Sequence, residues 1–156
     1  MDFCTGVHYF EFISKARKGY SHALEPVCRQ WNLTRNALDV LLFLYNQPEY
    51  DRAVDIVSRR CIAKSHVSLS VMDLEHRGLL TRHFVEGDRR TAHLKLTDGG
   101  VAIARQGRAA QQHYFDALFS GISEAEMEQW RRMIERVFTN MEQMERDTTH
   151  STERGI

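Results

Sequence analysis

Cysteine is scarce in this 156-residue chain, with only Cys4, Cys28 and Cys61 and no CxxC pair. An odd, scattered set builds neither a disulfide scaffold nor a zinc ribbon. Proline is rarer still, at two residues, and there are nine glycines, so long helices are expected to dominate. No apolar run approaches the ~20 residues of a membrane span. The opening MDFCTGVHYFEF lacks the basic segment and apolar stretch of a secretory signal. These absences predict a soluble, cytoplasmic protein with no membrane partner. No Ser-His-Asp arrangement and no Gly-rich phosphate loop stands out, so neither an enzyme nor a bound cofactor is expected.

The chain also lacks net charge, yet its charges are unevenly placed. Residues 52–108 hold eleven Lys/Arg against six Asp/Glu, a local balance of +5, and include His66, His76, His83 and His93. Residues 123–156 sum to −3 and residues 1–51 to −1. A basic centre between neutral or acidic ends fits a nucleic-acid module flanked by other helices. Chance clustering on a solvated face fits the charge count equally well.

Hydrophobic residues make up 42% of the chain, enough for a buried core. Phe10, Ile13, Tyr20, Leu24, Val27 and Trp31, with Arg17 in the missing step, follow the three-four spacing of an amphipathic helix. Pro26 inside this run predicts a kink or short break. Thr34 caps a second helix with the apolar face Leu38, Leu41, Leu42 and Tyr45, ended near Pro48. A short helix, Ala53 to Arg60, turns Val54 and Val57 inward. After the turn at Cys61-Ile62, a further helix covers about 63–77, buries Val67, Val71 and Leu74, and stops at Gly78. Two short helices joined by a tight turn make a helix-turn-helix.

LLTRHFV and TAHLKLT follow as strand-like runs around a charged tip, with Ala92, Leu94 and Leu96 alternating against His93 and Lys95. Thr97-Asp98 opens a long helix to about Phe119. Beyond Gly121, Ser123 and Glu126 form a capping box. Met127, Trp130, Ile134, Val137, Met141 and Met144 then recur at alternating steps of three and four, the seam of a packed helix. The last residues, 148–156, read as a frayed tail. The expected fold is mainly α with a small β-hairpin wing, a winged helix-turn-helix. Its parts are an N-terminal helix (1–33), a winged lobe (34–98, wing about 80–97) and C-terminal helices (99–147).

This order resembles the winged-helix regulators of the MarR family (multiple-antibiotic-resistance regulators). Four landmarks carry the resemblance: Leu33-Thr34; Lys64-Ser65-His66-Val67-Ser68; Leu74-Glu75-His76-Arg77-Gly78-Leu79-Leu80; and Asp88-Arg89-Arg90 followed by Leu96-Thr97. The chain departs from the family at Cys61, where Gly is usual, at Ala63, where Asp often caps the helix, and at Leu69, where Arg is frequent. The resemblance implies a homodimeric repressor on a pseudo-palindromic operator in double-stranded DNA, released by a small anionic or phenolic effector, with 34–98 as the DNA-binding lobe and 1–33 and 99–147 as dimerisation helices.

The expected DNA contacts are Lys64, Ser65, His66, Ser68 and Leu69 in the major groove, with Asp88 bracing either Arg89 or Arg90 as the other reads the minor groove. Tyr20, Leu24, Phe43, Tyr45 and Arg17 are candidate effector contacts. Phe10, Ile13, Phe115, Phe119, Trp130, Ile134, Val137, Phe138 and Met141 are expected at the dimer interface. Arg17, Arg108 and Gln111 interrupt apolar faces, which leaves open an inter-helix network or an anionic ligand site. No metal site is expected, because no histidine pair sits at i, i+4 beside a carboxylate; convergence of His8, His22 and His113 stays open. The competing readings are a winged-helix module for protein contacts, and a sensor of oxidants through Cys4 or Cys28 or of metals.

Overall fold

The computed structural model describes the backbone of residues 7–85 and 88–153, and the side chains of residues 10–84 and 91–147. Six helices and a two-stranded hairpin follow in the order α1 (Val7–Trp31), α2 (Arg35–Asn46), α3 (Ala53–Arg60), α4 (Lys64–His76), β1 (Leu80–Val85), β2 (Asp88–Leu96), α5 (Asp98–Leu118) and α6 (Glu124–Glu153). They divide into two compact units, Met1–Ala117 and Leu118–Ile156.

In the first unit α2 is the centre of the core. The Thr34 hydroxyl accepts the Ala37 N–H at 3.1 Å and sets the helix start. Ala37, Leu38 and Val40 to Leu44 are all buried, so α2 has no solvent-facing stripe in its middle. Leu24 and Val27 of α1, Ile56 of α3, Val67, Val71 and Leu74 of α4, and Ile103 and Ala104 of α5 join it in one cluster. The expected four-residue apolar face was therefore too narrow, because more than one neighbour packs on this helix.

Three other expectations change. No break falls at Pro26, since α1 is assigned as one helix from Val7 to Trp31; the ring removes one backbone donor, and the buried Leu24 and Val27 on either side anchor the helix there. In α3 the inward residue is Ile56, whereas Val54 is 61% exposed. An eight-residue helix has room for one inward stripe, and it falls on Ala53, Ile56 and Val57. Helix α6 continues to Glu153 where a frayed tail was expected, with no proline or glycine before Gly155 to stop it.

Gly78, at φ +66°, ends α4 in the left-handed region. The hairpin then pairs Leu80 with Leu96, Arg82 with Leu94 and His83 with His93, with an irregularity between Phe84 and Val85. Leu80 and Leu94 are buried against the core. A third segment lines the free edge of β2: the Leu94 N–H donates to the Asp51 carbonyl at 2.7 Å, and Arg52 bridges antiparallel to His93. At the wing's base the Thr97 hydroxyl donates to the Gly78 carbonyl at 2.8 Å and accepts the Gly100 N–H at 3.2 Å, so one side chain joins α4, β2 and α5.

Gly100 is required by close approach. A Cβ there would lie 2.0 Å from the Leu79 carbonyl oxygen.

The second unit is dominated by α6. Its capping box forms as expected: the Ser123 N–H donates to Glu126 at 2.8 Å and the Glu126 N–H to the Ser123 hydroxyl at 3.4 Å. The Ser123 hydroxyl also donates to the Glu126 carboxylate at 2.6 Å, and this bond, with the one from the Ser123 N–H, holds the carboxyl below its usual range. Trp130, Val137, Phe138 and Met141 are exposed and Ile134 is half-buried. The expected seam is thus present as an apolar stripe on the helix surface.

Candidate nucleic-acid interface

Helix α4 divides cleanly between two faces. Val67, Ser70, Val71 and Leu74 point into the core, which leaves Lys64, Ser65, His66, Ser68 and Leu69 exposed on the outside. No side chain caps its first turn, since Ala63 occupies the N-cap. The first backbone N–H groups of a helix have no intrahelical partner, so this end offers donors and positive potential to an anion such as a phosphate.

The turn before it is tight. Cys61 takes φ +52°, ψ 36°, the left-handed conformation that a glycine adopts without strain. The Arg52–Asp55 pair fixes the start of α3, with two guanidinium–carboxylate bonds of 3.0 Å that hold the Asp55 carboxyl below its usual range. Arg59 stacks 3.5 Å over the Tyr50 ring. Two further arginines tie α4 to its neighbours. Arg77 donates to the Trp31 and Asn32 carbonyls at 2.6 and 3.0 Å, tying the end of α4 to the α1–α2 turn. Arg82 pairs with Glu75 at 3.2 Å and ties β1 to α4. Both roles were missed in the sequence, because their partners are a backbone turn and a residue on another element. Asp88, Arg89 and Arg90 begin β2 in the position expected for a wing, and their side chains lie outside the described residues.

Comparison with known proteins places this geometry. A family profile described as MarR family matches residues 31–91, from the α1–α2 turn to the wing. The transcriptional repressor MprA of Escherichia coli K12 is 32% identical over 75 residues, covering 48% of this chain and 43% of the repressor, so the chain spans under half of that relative's length. The HTH-type transcriptional regulator PecS of Dickeya dadantii is 30% identical over 119 residues, covering 74% of this chain and 70% of PecS. The chain belongs to the MarR family. It is a family of transcriptional regulators and not of enzymes. The crystal structure of a MarR family regulator from Listeria monocytogenes with a 26mer DNA shares the fold at a TM-score of 0.75 and 16% identity, over 85% of this chain and 87% of that one.

Beside the N-terminus of α4 the MarR fold of this chain opens a cleft of about 960 Å³. Arg17 and Tyr20 of α1, Arg35 and Asp39 of α2, Arg60 of α3 and His66 of α4 are among its walls. The Arg35 guanidinium forms a two-point pair with Asp39 at 3.0 and 3.2 Å and lies 4.7 Å over the Tyr20 ring. Its buried Nη1 has no hydrogen-bond partner. Of the five expected effector contacts, Arg17 and Tyr20 reach this cleft. Leu24 and Phe43 are fully buried in the core and Tyr45 packs against it, because neighbouring helices cover the middle of α1 and the apolar residues of α2.

The polar residues that interrupt apolar faces separate in the same way. The Arg108 guanidinium donates to Asn46 at 3.1 Å, Asn46 to Gln111 at 3.2 Å, and Gln111 to the Tyr20 hydroxyl, a network joining α5, α2 and α1. Arg17 stands apart at the cleft. Phe10, Ile13 and Phe115 are exposed on the first unit, and Phe119 is half-buried.

The Cys28 thiol is half-buried, and desolvation pushes its pKa up, so it is a poor thiolate source. Cys4 and the side chain of His8 lie outside the described residues, while Cys61 is exposed. His22 sits 3.4 Å from Glu25 on its own helix, and among the described residues neither it nor His113 joins a three-ligand group. Nor is any described helix long and apolar enough to cross a membrane.

Proposed function

We propose that this chain is a cytoplasmic homodimeric repressor that reads a pseudo-palindromic operator and is released by a small anionic or phenolic effector. The observation that carries the reading is α4, whose polar, uncapped first turn faces solvent and which leads into a wing whose second strand begins Asp88-Arg89-Arg90. A helix of this kind fits the major groove, where Lys64, Ser65, His66 and Ser68 meet base edges and phosphates and Leu69 meets a thymine methyl. Either Arg89 or Arg90 enters the neighbouring minor groove. The solved DNA complex of the Listeria relative and the repressor role of MprA support the assignment.

Two copies supply two recognition helices about one DNA turn apart. The exposed stripe Trp130, Val137, Phe138 and Met141, with Ile134 between, is the surface we assign to the second copy, together with Phe10, Ile13, Phe115 and Phe119. The effector site is the cleft of Arg17, Tyr20, Arg35 and Arg60. Its walls include His66 and Ala63, so an anion bound there meets the start of the recognition helix directly. A ligand that prefers one placement of α4 shifts the population away from the DNA-competent one.

The test is fluorescence anisotropy with DNA from upstream of the gene across a salt series, with an Arg89→Ala/Arg90→Ala control. The expected result is tight binding that weakens steeply with salt and is lowered by the double substitution. Binding no better than to scrambled DNA, on both upstream DNA and a genomic fragment library, contradicts the proposal. One observation favours a second reading in that event: Leu69 and Met72 expose two large apolar side chains three residues apart on α4, as a module for protein contacts does.

A further inference from the structure

At the root of the wing three potential metal ligands meet that no neighbouring sequence motif announces. His83 and His93 are directly opposed across the hairpin, with ring centroids 5.5 Å apart. Asp51 comes from the segment that pairs with the other edge of β2, and its carboxylate lies 2.8 Å from His93 Nδ1. One donor atom from each of the three lies within 4.8 Å of the others. We propose that Asp51, His83 and His93 form a binding site for a divalent transition-metal ion of the zinc class.

The chemistry of the donor set selects the ion. Two imidazoles and a carboxylate suit a borderline cation such as Zn(II), whereas calcium and magnesium take all-oxygen shells. Zinc bonds of about 2.0–2.2 Å in a tetrahedron put ligand atoms roughly 3.3 Å apart. The Asp51–His93 pair therefore has to open slightly, and His83 has to close by about 1.5 Å at most. His83 is exposed, so its imidazole is free to turn inward. A fourth position is left for water.

The adjacent guanidinium does not compete, because Arg52 is held by Asp55 on the next helix. The cluster belongs to neither the cleft nor the outer face of α4. An ion there fastens three chain segments together: the α2–α3 connection, β2 and β1. It also replaces one carboxylate charge by a net positive site beneath the wing.

The bland account of the same residues is a brace, in which Asp51 merely hydrogen-bonds His93. His83 separates the two accounts, since it is a ligand in the site but no part of the brace.

The experiment loads chelator-stripped full-length protein with Zn(II), follows binding by competition with a chromogenic zinc indicator, and records imidazole nitrogen shifts by NMR. Wild type is expected to take up one ion per chain at this site, with nitrogen shifts at His83 and His93. The His83→Gln variant should lose at least about tenfold in affinity while its melting temperature without metal stays at the wild-type value. Asp51→Asn should weaken binding as well. The His22→Gln variant, on a different helix, should bind like wild type. Absence of saturable zinc uptake, uptake unchanged by His83→Gln, or nitrogen shifts confined to other histidines would each overturn the assignment.

Discussion

Helices α2 and α6 are both read from the same kind of signal, an apolar side chain every three or four residues. Their fates in the folded chain are opposite. Seven of the twelve residues of α2 are buried, whereas none of the described side chains in the thirty-residue α6 is. Periodicity states that a face is to be covered; it does not state by what. For α2 the cover is its own lobe, where α1, α4 and α5 meet it. For α6 the side chains at Val137, Phe138 and Met141 are about half exposed, and in the proposed dimer a second copy covers them. Stability should thus be local and concentration-independent around α2, and tied to protein concentration along α6.

The sharpest way to break this contrast is to empty the lobe. Phe43 is fully buried, so Phe43→Ala should cost about 3–5 kcal/mol in urea unfolding, at dilute and concentrated protein alike. A loss that vanishes at high concentration would place Phe43 in an assembly surface instead. Gly100→Ala ranks next. Its added methyl meets the Leu79 carbonyl, and the shift it forces between wing base and α5 should cost about 1–3 kcal/mol. Thr97→Ala removes both the bond to Gly78 and the cap on Gly100, at about 1 kcal/mol. An unchanged midpoint would mean that this joint is not under tension from either side.

Smallest is the gain expected from Cys61→Gly. Cysteine in a left-handed position is strained, and glycine relieves that at some entropic cost, for a net stabilisation of about 0.5–1 kcal/mol. Loss of stability there would show that the Cys61 side chain contributes packing.

Much of the frame was legible in the sequence because its signals are local. Thr34, Gly78 and the Ser123–Glu126 box act within four residues of the helix ends they set, and all three fall where their chemistry predicts. Of the inward residues expected in α3, Val57 packs on the core and Val54 does not, because eight residues carry too little periodicity to choose between Val54 and Ile56. Leu24 and Phe43 were assigned to a ligand wall because an apolar residue on a helix looks the same whether it lines a cleft or fills a core. The burial of their neighbours decides between the two.

Contacts across long separations were the least legible. Arg77 on the Trp31 carbonyl, Gly100 against Leu79, and Asp51 beside His93 all depend on how elements dock. The opposition of His83 and His93 was within reach: counting outward from the hairpin tip pairs them, once the register is known.

If a second copy covers the apolar stripe of α6, placing charge on that stripe should part the two chains. Sedimentation velocity on wild type and on Val137→Asp/Met141→Asp, with circular dichroism to check folding, reads the outcome. The expected result is a wild-type dimer and a folded monomeric variant, the lobe keeping its helical signal while upstream DNA is bound far more weakly. A variant that stays dimeric, or a wild type that sediments as a monomer while binding the operator tightly, would contradict it.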